Sequence, residues 1–423
     1  MLNQFIEILE RHLAILSLLF FTIGIFWADQ STSFAYSVYH LMENFIESYS
    51  YIAPIAIYLI LTPTVIKLFH SEIRGKSFAR YTIKWFIIAR MLACLFAVIF
   101  TAIAFHLPLY AQGTGLTQAI TESFQSLGWM LMHSVYFYAV YAAIVTVVIA
   151  WRYDRLAQFL EQGVEIVEEY LGKVILPFIP LLMMGVGAYV TVLPEILEQN
   201  VGADFKNIQL DSIDIFGVSI QIASSLGMIL LYVLASLLTG LACGIWHIGL
   251  LILAKKHMPE FSIRKYFSIY WVKVYPLLWA TSSEALAMPF NLYMVKKFCP
   301  TIPDEVRQFV VGTGSFLNIN GSMINVFIMT GLITTMLGIN ISVVQLLLSV
   351  PVVFLLGYGV PGIPGELLIF AGPMALCMGI SPELTPIFLS LYVGLQIGLP
   401  DSFRTASNST DACLCTVILN RKY

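Results

Sequence analysis

Residues 398–411 read Gly-Leu-Pro-Asp-Ser-Phe-Arg-Thr-Ala-Ser-Asn-Ser-Thr-Asp, and they lie near the end of a very apolar chain. The stretch places Asp401, Arg404 and Asp411, with several hydroxyl and amide side chains, in what hydropathy predicts to be the last membrane helix. A charged side chain at the bilayer centre costs at least ~2.5–3.5 kcal/mol on insertion scales. A membrane helix keeps such a cluster only where it faces protein, water, ions or substrate, so the stretch indicates transport.

The composition of the 423 residues is typical of a polytopic helical membrane protein. The chain is 59% hydrophobic and only 11% charged, which excludes an ordinary soluble globular domain. A helix needs about 20 apolar residues to cross a hydrocarbon core about 30 Å thick, and such segments recur along the chain. No cleavable signal peptide is evident. The formal charge of −3 gives no indication of a nucleic-acid partner.

The predicted fold class is all-α, with eight transmembrane helices and two re-entrant helical hairpins. The predicted helices are 12–30, 44–69, 78–107, 126–150, 173–194, 215–254, 306–337 and 382–419, and the hairpins are 266–298 and 341–380. Lysine and arginine fall in loops that alternate to one side, so the positive-inside rule predicts that both termini are cytoplasmic. We expect an integral protein of the plasma membrane, a bacterial inner membrane.

The two hairpins are predicted because they break the alternation of charge. Segment 266–298 has basic residues at both ends and segment 341–380 has none, so each should enter and return on one side. Both contain small residues and proline at their middle, at 281–289 and 359–365. Non-helical backbone at membrane depth is tolerated only where it is buried in protein or lines a cavity. Two such hairpins, each followed by a polar-interrupted helix, predict a transporter binding site at the midplane.

A polar interruption also lies within the predicted helix 306–337. The run Asn318-Ile-Asn320-Gly-Ser322 is a poor helix former. It frees backbone carbonyls and offers amide oxygens, the ligands that hard cations prefer. The alternative interpretation is a polar kink used for helix packing.

The polar side chains of the last helix share one broad face. They are Asp401, Arg404, Thr405, Asn408 and Asp411. The Arg404 guanidinium suits a bidentate carboxylate, and Asp401 can receive an ammonium group. Asn408 can hydrogen-bond a second carboxylate, and Asp411 offers a carboxylate to a cation. The alternative is that Asp401 and Arg404 only neutralise each other, although a buried pair without function is a weak device for stability.

The order of these elements resembles that of the dicarboxylate/amino acid:cation symporters, the glutamate/aspartate transporter family, of which the chain looks like a divergent member. The elements that carry the resemblance are Ser282-Ser283…Pro289, Asn318-Ile319-Asn320-Gly321-Ser322, Gly359-Val360-Pro361-Gly362 and Asp401…Asn408. The resemblance implies inverted repeats, a homotrimer, and a transport domain that moves like an elevator against a fixed scaffold. Scaffold helices 1–2 would occupy 1–77 and helices 4–5 would occupy 108–212, while the transport domain would comprise the third helix, 78–107, and 213–423.

The resemblance also implies a role for each matching residue. Asp401 would bind the substrate's α-amino group, Arg404 its side-chain carboxylate, and Thr405 and Asn408 other polar groups. The full substrate-binding set would be Ser282, Ser283, Ser322, Gly359, Val360, Gly362, Asp401, Arg404, Thr405 and Asn408. The cation set would be Gly314, Asn318, Asn320, Asn408 and Asp411. Asp411 lies one residue closer to Asn408 than in the family pattern.

Four departures from the family pattern bear on coupling, and one of them is the second hairpin, which has Leu355-Leu356-Gly357-Tyr358 where the family has serine and threonine before its glycine. Asn320 stands where the family has aspartate, Arg90 falls among the third-helix positions of a cation site, and Glu284 stands where the family usually has serine. These departures predict coupling to protons or to fewer sodium ions, with Glu284 and Arg90 as possible coupling residues. The alternatives are that Arg90 snorkels to the cytoplasmic interface and that Glu284 is a solvated tip carboxylate. His247 is expected to be a packing histidine rather than a relay.

The sequence therefore predicts a secondary active symporter for an acidic amino acid, glutamate or aspartate, with coupled cations. The alternatives are a C4-dicarboxylate symporter and a channel-like or transport-inactive protein on the same scaffold. An enzyme is not expected, because no nucleophile–base pair or zinc motif is evident. The expected partners are a small anionic substrate, membrane lipid and further copies of the chain. No cofactor is expected besides the coupling ions, H⁺ or Na⁺.

Overall fold

The computed structural model describes seven long stretches of the chain. They are 76–110, 135–150, 212–221, 225–272, 294–357, 367–396 and 399–422. Short runs and single residues are also described elsewhere, and 19–27 is the longest of them. Most of these residues are helical, as the sequence predicts.

Ten α-helices and one β-hairpin have defined bounds in the described part, and residues 19–27 and 294–298 are helical as well. The helices are α1 Lys76–Ala104, α2 Val135–Ala150, α3 Ser225–His257, α4 Ile263–Lys265, α5 Asp304–Leu317, α6 Asn320–Met336, α7 Val343–Leu356, α8 Leu368–Cys377, α9 Thr385–Gln396 and α10 Leu399–Asn420. The antiparallel strands β1 Ser212–Ile215 and β2 Val218–Gln221 precede α3, and a π-helical segment, Tyr266–Trp271, follows α4. Helix α10 packs against α3, α5 and α6 and so lies at the centre of the described bundle.

The start of the predicted helix 215–254 is wrong, because residues 212–221 form the hairpin β1–β2. Phe216 and Gly217 form its turn with φ of 51° and 77°, the left-handed backbone that two-residue hairpin turns need. In β1, Ile213 and Ile215 are buried and the intervening Asp214 is exposed. This alternation has the period of a strand. It was not predicted because the long apolar helix that follows makes the whole segment resemble one hydrophobic span.

Two helices of the described part are long and apolar enough to cross a membrane: Arg80–Ala104 within α1 and Leu230–His257 within α3. Each leaves large apolar side chains exposed along one side, such as Leu92 and Ile99 on α1 and Leu241 and Ile248 on α3. Lipid contact is the favourable environment for such a face. The predicted spans 12–30, 44–69, 126–150 and 173–194 fall wholly or partly outside the described residues, so the count of eight stays a prediction.

The predicted helix 306–337 is broken at the position that the polar run indicates. Helix α5 ends before Asn318, whose ψ is 66°, and α6 begins after Ile319, whose ψ is 38°. Neither residue has helical backbone, so the ends of two half-helices meet inside the protein. The side chains described in α6 are almost all buried.

The second predicted hairpin has two packed arms, α7 and α8, each with a proline inside it. Its tip, residues 358–366, lies outside the described residues. The first predicted hairpin is described at its two ends and at single residues between them. The predicted last helix 382–419 is described as α9 and α10, with residues 397 and 398 between them outside the description.

Residues 19–27 of the predicted first helix cross the predicted fifth helix at two glycines. A Cβ atom on Gly24 would lie 2.1 Å from the Met184 carbonyl oxygen, and one on Gly187 would lie 2.1 Å from the Phe21 carbonyl oxygen. The two backbones therefore touch, as in membrane helix pairs with small residues at the crossing. The Phe21 ring also stacks on Tyr232 of α3, with ring centres 4.9 Å apart.

Candidate functional site

Asp401 and Arg404 form a buried ion pair in the first turns of α10. Helix α10 begins with Leu399-Pro400-Asp401, and both proline and aspartate favour the first turn of a helix. The Arg404 Nε lies 2.7 Å from Asp401 Oδ1, and its Nη2 donates to the same oxygen. Gln396 Nε2 donates to this oxygen as well, at 3.3 Å. The two residues that the resemblance assigns to the substrate's charges are thus adjacent, and they pair with each other.

Ser322 connects this pair to the broken helix. The Arg404 Nη1 donates to Ser322 Oγ at 3.1 Å, and Asn408 Nδ2 donates to the same hydroxyl at 2.8 Å. The three side chains are buried. Arginine, serine and asparagine of the predicted substrate set therefore meet at the N-terminus of α6, where the helix dipole favours negative charge.

Asn408 holds the N-terminus of α6 in place. Its Oδ1 accepts from the backbone N–H of Gly321 at 2.7 Å and from that of Ser322 at 3.4 Å. The N-cap residue of α6, Ile319, has no side-chain acceptor, so an amide from another helix satisfies these donors. The Asn408 Nδ2 also donates to Glu284 Oε1 at 2.8 Å, which joins the predicted first hairpin to the site.

Gly321 is required by the close approach of α10 to α6. A Cβ atom there would lie 2.6 Å from the Arg404 carbonyl oxygen and 3.0 Å from Asn408 Oδ1. Gly321→Ala is therefore expected to lower the free energy of unfolding by about 1–3 kcal/mol and to weaken substrate binding. Thermal melting of the purified protein measures the first effect. The matched control is Gly244→Ala in α3, where a Cβ would meet nothing within 4 Å; equal melting of the two variants would contradict the prediction.

Three residues of the predicted substrate and cation sets have a buried oxygen without a hydrogen-bond partner among the described residues. They are Thr405 at Oγ1, Asn320 at Oδ1 and Asp411 at Oδ2. Buried polar atoms are nearly always hydrogen-bonded in folded proteins. Such atoms are where a substrate, an ion or water is expected to bind.

The predicted cation residues surround the break between α5 and α6. Asn318 Nδ2 donates to the Asn408 carbonyl oxygen at 2.9 Å, and Asn320 Nδ2 donates to Asn318 Oδ1 at 2.7 Å. Gly314 lets α5 approach α10, because a Cβ on it would lie 3.1 Å from the Ala412 methyl group. The two asparagines therefore connect the broken helix to α10.

Arg90 also lies at this break. Its side chain is fully buried, and Nη2 donates to the Leu317 carbonyl oxygen at 2.7 Å. The guanidinium lies 5.9 Å from the ring centre of Phe354 in α7. The snorkelling interpretation of Arg90 is wrong, because its charge lies at the C-terminal end of α5, where the helix dipole attracts cations. The solvated interpretation of Glu284 is wrong too, since that side chain is buried against Asn408.

Asp411 has a partner that the sequence analysis missed. His247 Nδ1 in α3 lies 2.6 Å from Asp411 Oδ1, and the Tyr266 hydroxyl lies 2.9 Å from His247 Nε2. The spacing of Thr239, Cys243 and His247 is a usable signal, because residues four apart share one face of a helix. Thr239 and Cys243 contact α6 through Asn325 and Gly321, so this face is turned toward the site. The hairpin residues Ser282, Ser283, Gly359, Val360 and Gly362 lie outside the described residues.

Comparison with known proteins agrees with the resemblance. The model of the sodium:dicarboxylate symporter family matches residues 208–422, just over half of the chain. No curated protein matches the chain. The matched region contains the broken helix, both predicted hairpins and α10. The chain therefore belongs to the sodium:dicarboxylate symporter family, integral membrane proteins that carry small anionic substrates across membranes and are transporters rather than enzymes.

Proposed function

We propose that the chain is a secondary active symporter that takes up an acidic amino acid, glutamate or aspartate, with coupled cations. The observation that carries the proposal is the buried pair of Asp401 and Arg404 beside Ser322 and Asn408. A substrate ammonium group that pairs with Asp401 releases Arg404 for a substrate carboxylate. One internal ion pair is then replaced by two ion pairs with the substrate, so no buried charge is left alone.

A C4-dicarboxylate symporter is the alternative, and Asp401 argues against it. A dicarboxylate that binds Arg404 brings no cation to Asp401, which would lose its closest positive partner. Breaking a buried ion pair by removing one partner typically costs about 3–5 kcal/mol. The proposed amino acid substrate avoids that cost.

We propose that coupling uses protons, or fewer sodium ions than the family name indicates. The Arg90 guanidinium supplies a fixed positive charge at the Leu317 carbonyl, where an ion would otherwise be attracted. Asn320 provides a neutral amide instead of a carboxylate, and each lost carboxylate weakens a site for a hard cation. Glu284 is a carboxyl group that contacts Asn408 inside the site, so it can carry a proton with the substrate.

The wider arrangement is part of the same proposal. We expect three copies in the plasma membrane with cytoplasmic termini, and an elevator movement of 78–107 and 213–423 against 1–77 and 108–212. A channel-like or transport-inactive protein would lack that movement. Counterflow of labelled substrate in liposomes separates these possibilities, because exchange requires a carrier that reorients with substrate bound.

Uptake into proteoliposomes under separately imposed gradients tests the proposed function. We expect glutamate or aspartate to accumulate with an inward proton gradient, and removal of sodium to change the rate little. Accumulation of malate or succinate but not of amino acids would support the dicarboxylate alternative. Uptake that is strictly sodium-dependent and indifferent to external pH would contradict the proposed coupling.

Glu284→Gln is expected to stop proton-driven accumulation while exchange of internal for external substrate continues. The variant keeps the shape of the side chain and its contact with Asn408 but removes the group that can carry a proton. Accumulation and exchange are measured in the same liposomes. Glu260→Gln is the matched control, because Glu260 is exposed beyond the end of α3. Normal proton-driven accumulation by Glu284→Gln would remove Glu284 from the coupling mechanism.

A further inference from the structure

A buried chain of three side chains joins three elements next to the candidate site. His247 comes from α3, Tyr266 from the π-helical segment and Asp411 from α10. Asp411 and Tyr266 are fully buried and His247 is 7% exposed. The Nδ1–Oδ1 distance is 2.6 Å and the Oη–Nε2 distance is 2.9 Å.

The direction of this chain is assigned from hydrogen-bond chemistry with Asp411 ionised. A carboxylate can only accept, so the Nδ1–H group of His247 donates to Asp411. The Tyr266 hydroxyl lies 2.9 Å from Nε2 and 3.5 Å from the Thr410 carbonyl oxygen, and its one hydrogen follows the shorter contact, so Nε2 accepts. Every group of the imidazole is satisfied in this way, and its orientation is held from both sides.

The orientation has a direct consequence for ions. An N–H group that points at Asp411 Oδ1 places partial positive charge where a bound cation would need a ring of oxygens. Hard cations require several oxygen ligands at short distance. The imidazole has no oxygen atom, and the Tyr266 hydroxyl directs its hydrogen toward Nε2, so neither group supplies such a ligand. An ion at Oδ1 would therefore have to displace His247.

We propose that His247 determines ion specificity, because its hydrogen bond to Asp411 prevents this carboxylate from binding sodium. The second oxygen of Asp411, Oδ2, is buried without a hydrogen-bond partner in the described part of the chain. The Trp246 indole also interacts with Asp411, and the imidazole is the group that bonds Oδ1. Without it, a buried carboxylate would be left exposed to a low dielectric, which is costly unless a cation binds. This role of His247 rests on the proposed coupling, but its test needs no substrate.

The test is the sodium-specific shift in melting temperature of the purified full chain, measured in sodium chloride against choline chloride at equal ionic strength. A ligand that binds only the folded state raises the melting temperature. Asp411→Asn should leave the sodium response of the wild-type protein unchanged. His247→Ala should gain a sodium-specific rise of about 2 °C or more, and the double variant His247→Ala with Asp411→Asn should lose it again.

Two further variants keep the test decisive. His247→Leu fills the volume of the ring and frees Asp411 in the same way, and it replaces His247→Ala if that protein does not fold. His257→Ala is the matched control, because His257 lies at the end of α3 and bonds the Leu253 carbonyl within its own helix. This control should show the wild-type response.

Two outcomes would overturn the inference. A wild-type sodium response that disappears in Asp411→Asn would show that Asp411 binds sodium with His247 in place. Absence of a sodium-specific rise in melting temperature in both His247 variants would show that the imidazole does not control sodium binding at Asp411. Failure of acidic amino acid uptake would refute the proposed substrate and leave these melting results unaffected.

Discussion

Replacement of Arg404 by cysteine is expected to abolish measurable binding of glutamate and aspartate. Truncating one partner of a buried, hydrogen-bonded charge pair costs about 2–5 kcal/mol or more, which corresponds to a loss of at least ~30-fold in affinity. The contacts of Arg404 in the site include two to Asp401 Oδ1 and one to Ser322 Oγ. Cysteine can replace none of them and brings no positive charge to a substrate carboxylate. Titration calorimetry on the purified protein measures the effect.

The matched control is Arg264→Cys, which removes an exposed arginine from α4. It should bind acidic amino acids like the wild-type protein. A gain of binding for neutral amino acids by Arg404→Cys would add support, because Asp401 remains to pair with the ammonium group. Unchanged affinity for glutamate and aspartate would show that Arg404 does not recognise the substrate.

The part of the site that lies on α10 could be predicted from sequence because the periodicity of one helix fixes it. Residues three and four apart lie on one face of a helix, so Asp401, Arg404 and Asn408 can be placed together without information about any other element. The break before Asn320 was predictable for a similar local reason, since Asn-x-Asn-Gly-Ser disfavours helix. Local chemistry thus located both halves of the candidate site.

The contacts between distant segments could not be predicted in the same way. His247 lies 164 residues from Asp411, and a histidine beside a tryptophan in an apolar helix is usually a packing residue. Arg90 appeared close enough to the cytoplasmic end of its helix to reach water, yet the packing of α1 against α6 and α7 buries it. Which face of a helix turns inward depends on its neighbours, and hydropathy alone leaves that choice open in a helix that is apolar on nearly all sides.

The position of Arg90 and that of His247 have one physical feature in common. Each is a cationic or hydrogen-donating side chain that contacts an acceptor, the Leu317 carbonyl or the Asp411 carboxylate, near a predicted cation residue. A donor supplied by the protein satisfies an acceptor at all times, whereas a bound ion can leave. Arg90 and His247 therefore both support the proposed coupling to fewer sodium ions.

Asp401→Asn is expected to separate amino acids from dicarboxylates as substrates. The amide is close in shape to the carboxylate but cannot pair with an ammonium group, so aspartate should bind at least ~10-fold more weakly. Malate and succinate have no amine to lose a partner. They should bind as well as before or better, because Arg404 is no longer neutralised by Asp401. The ratio of aspartate to malate affinity, measured by calorimetry for wild type and variant, gives the result. Asp214→Asn, at an exposed position in β1, is the control and should leave the ratio unchanged. Tight binding of malate and none of aspartate by the wild-type protein would refute the amino acid assignment, and Asp401 would then serve only to hold Arg404 until a dicarboxylate displaces it.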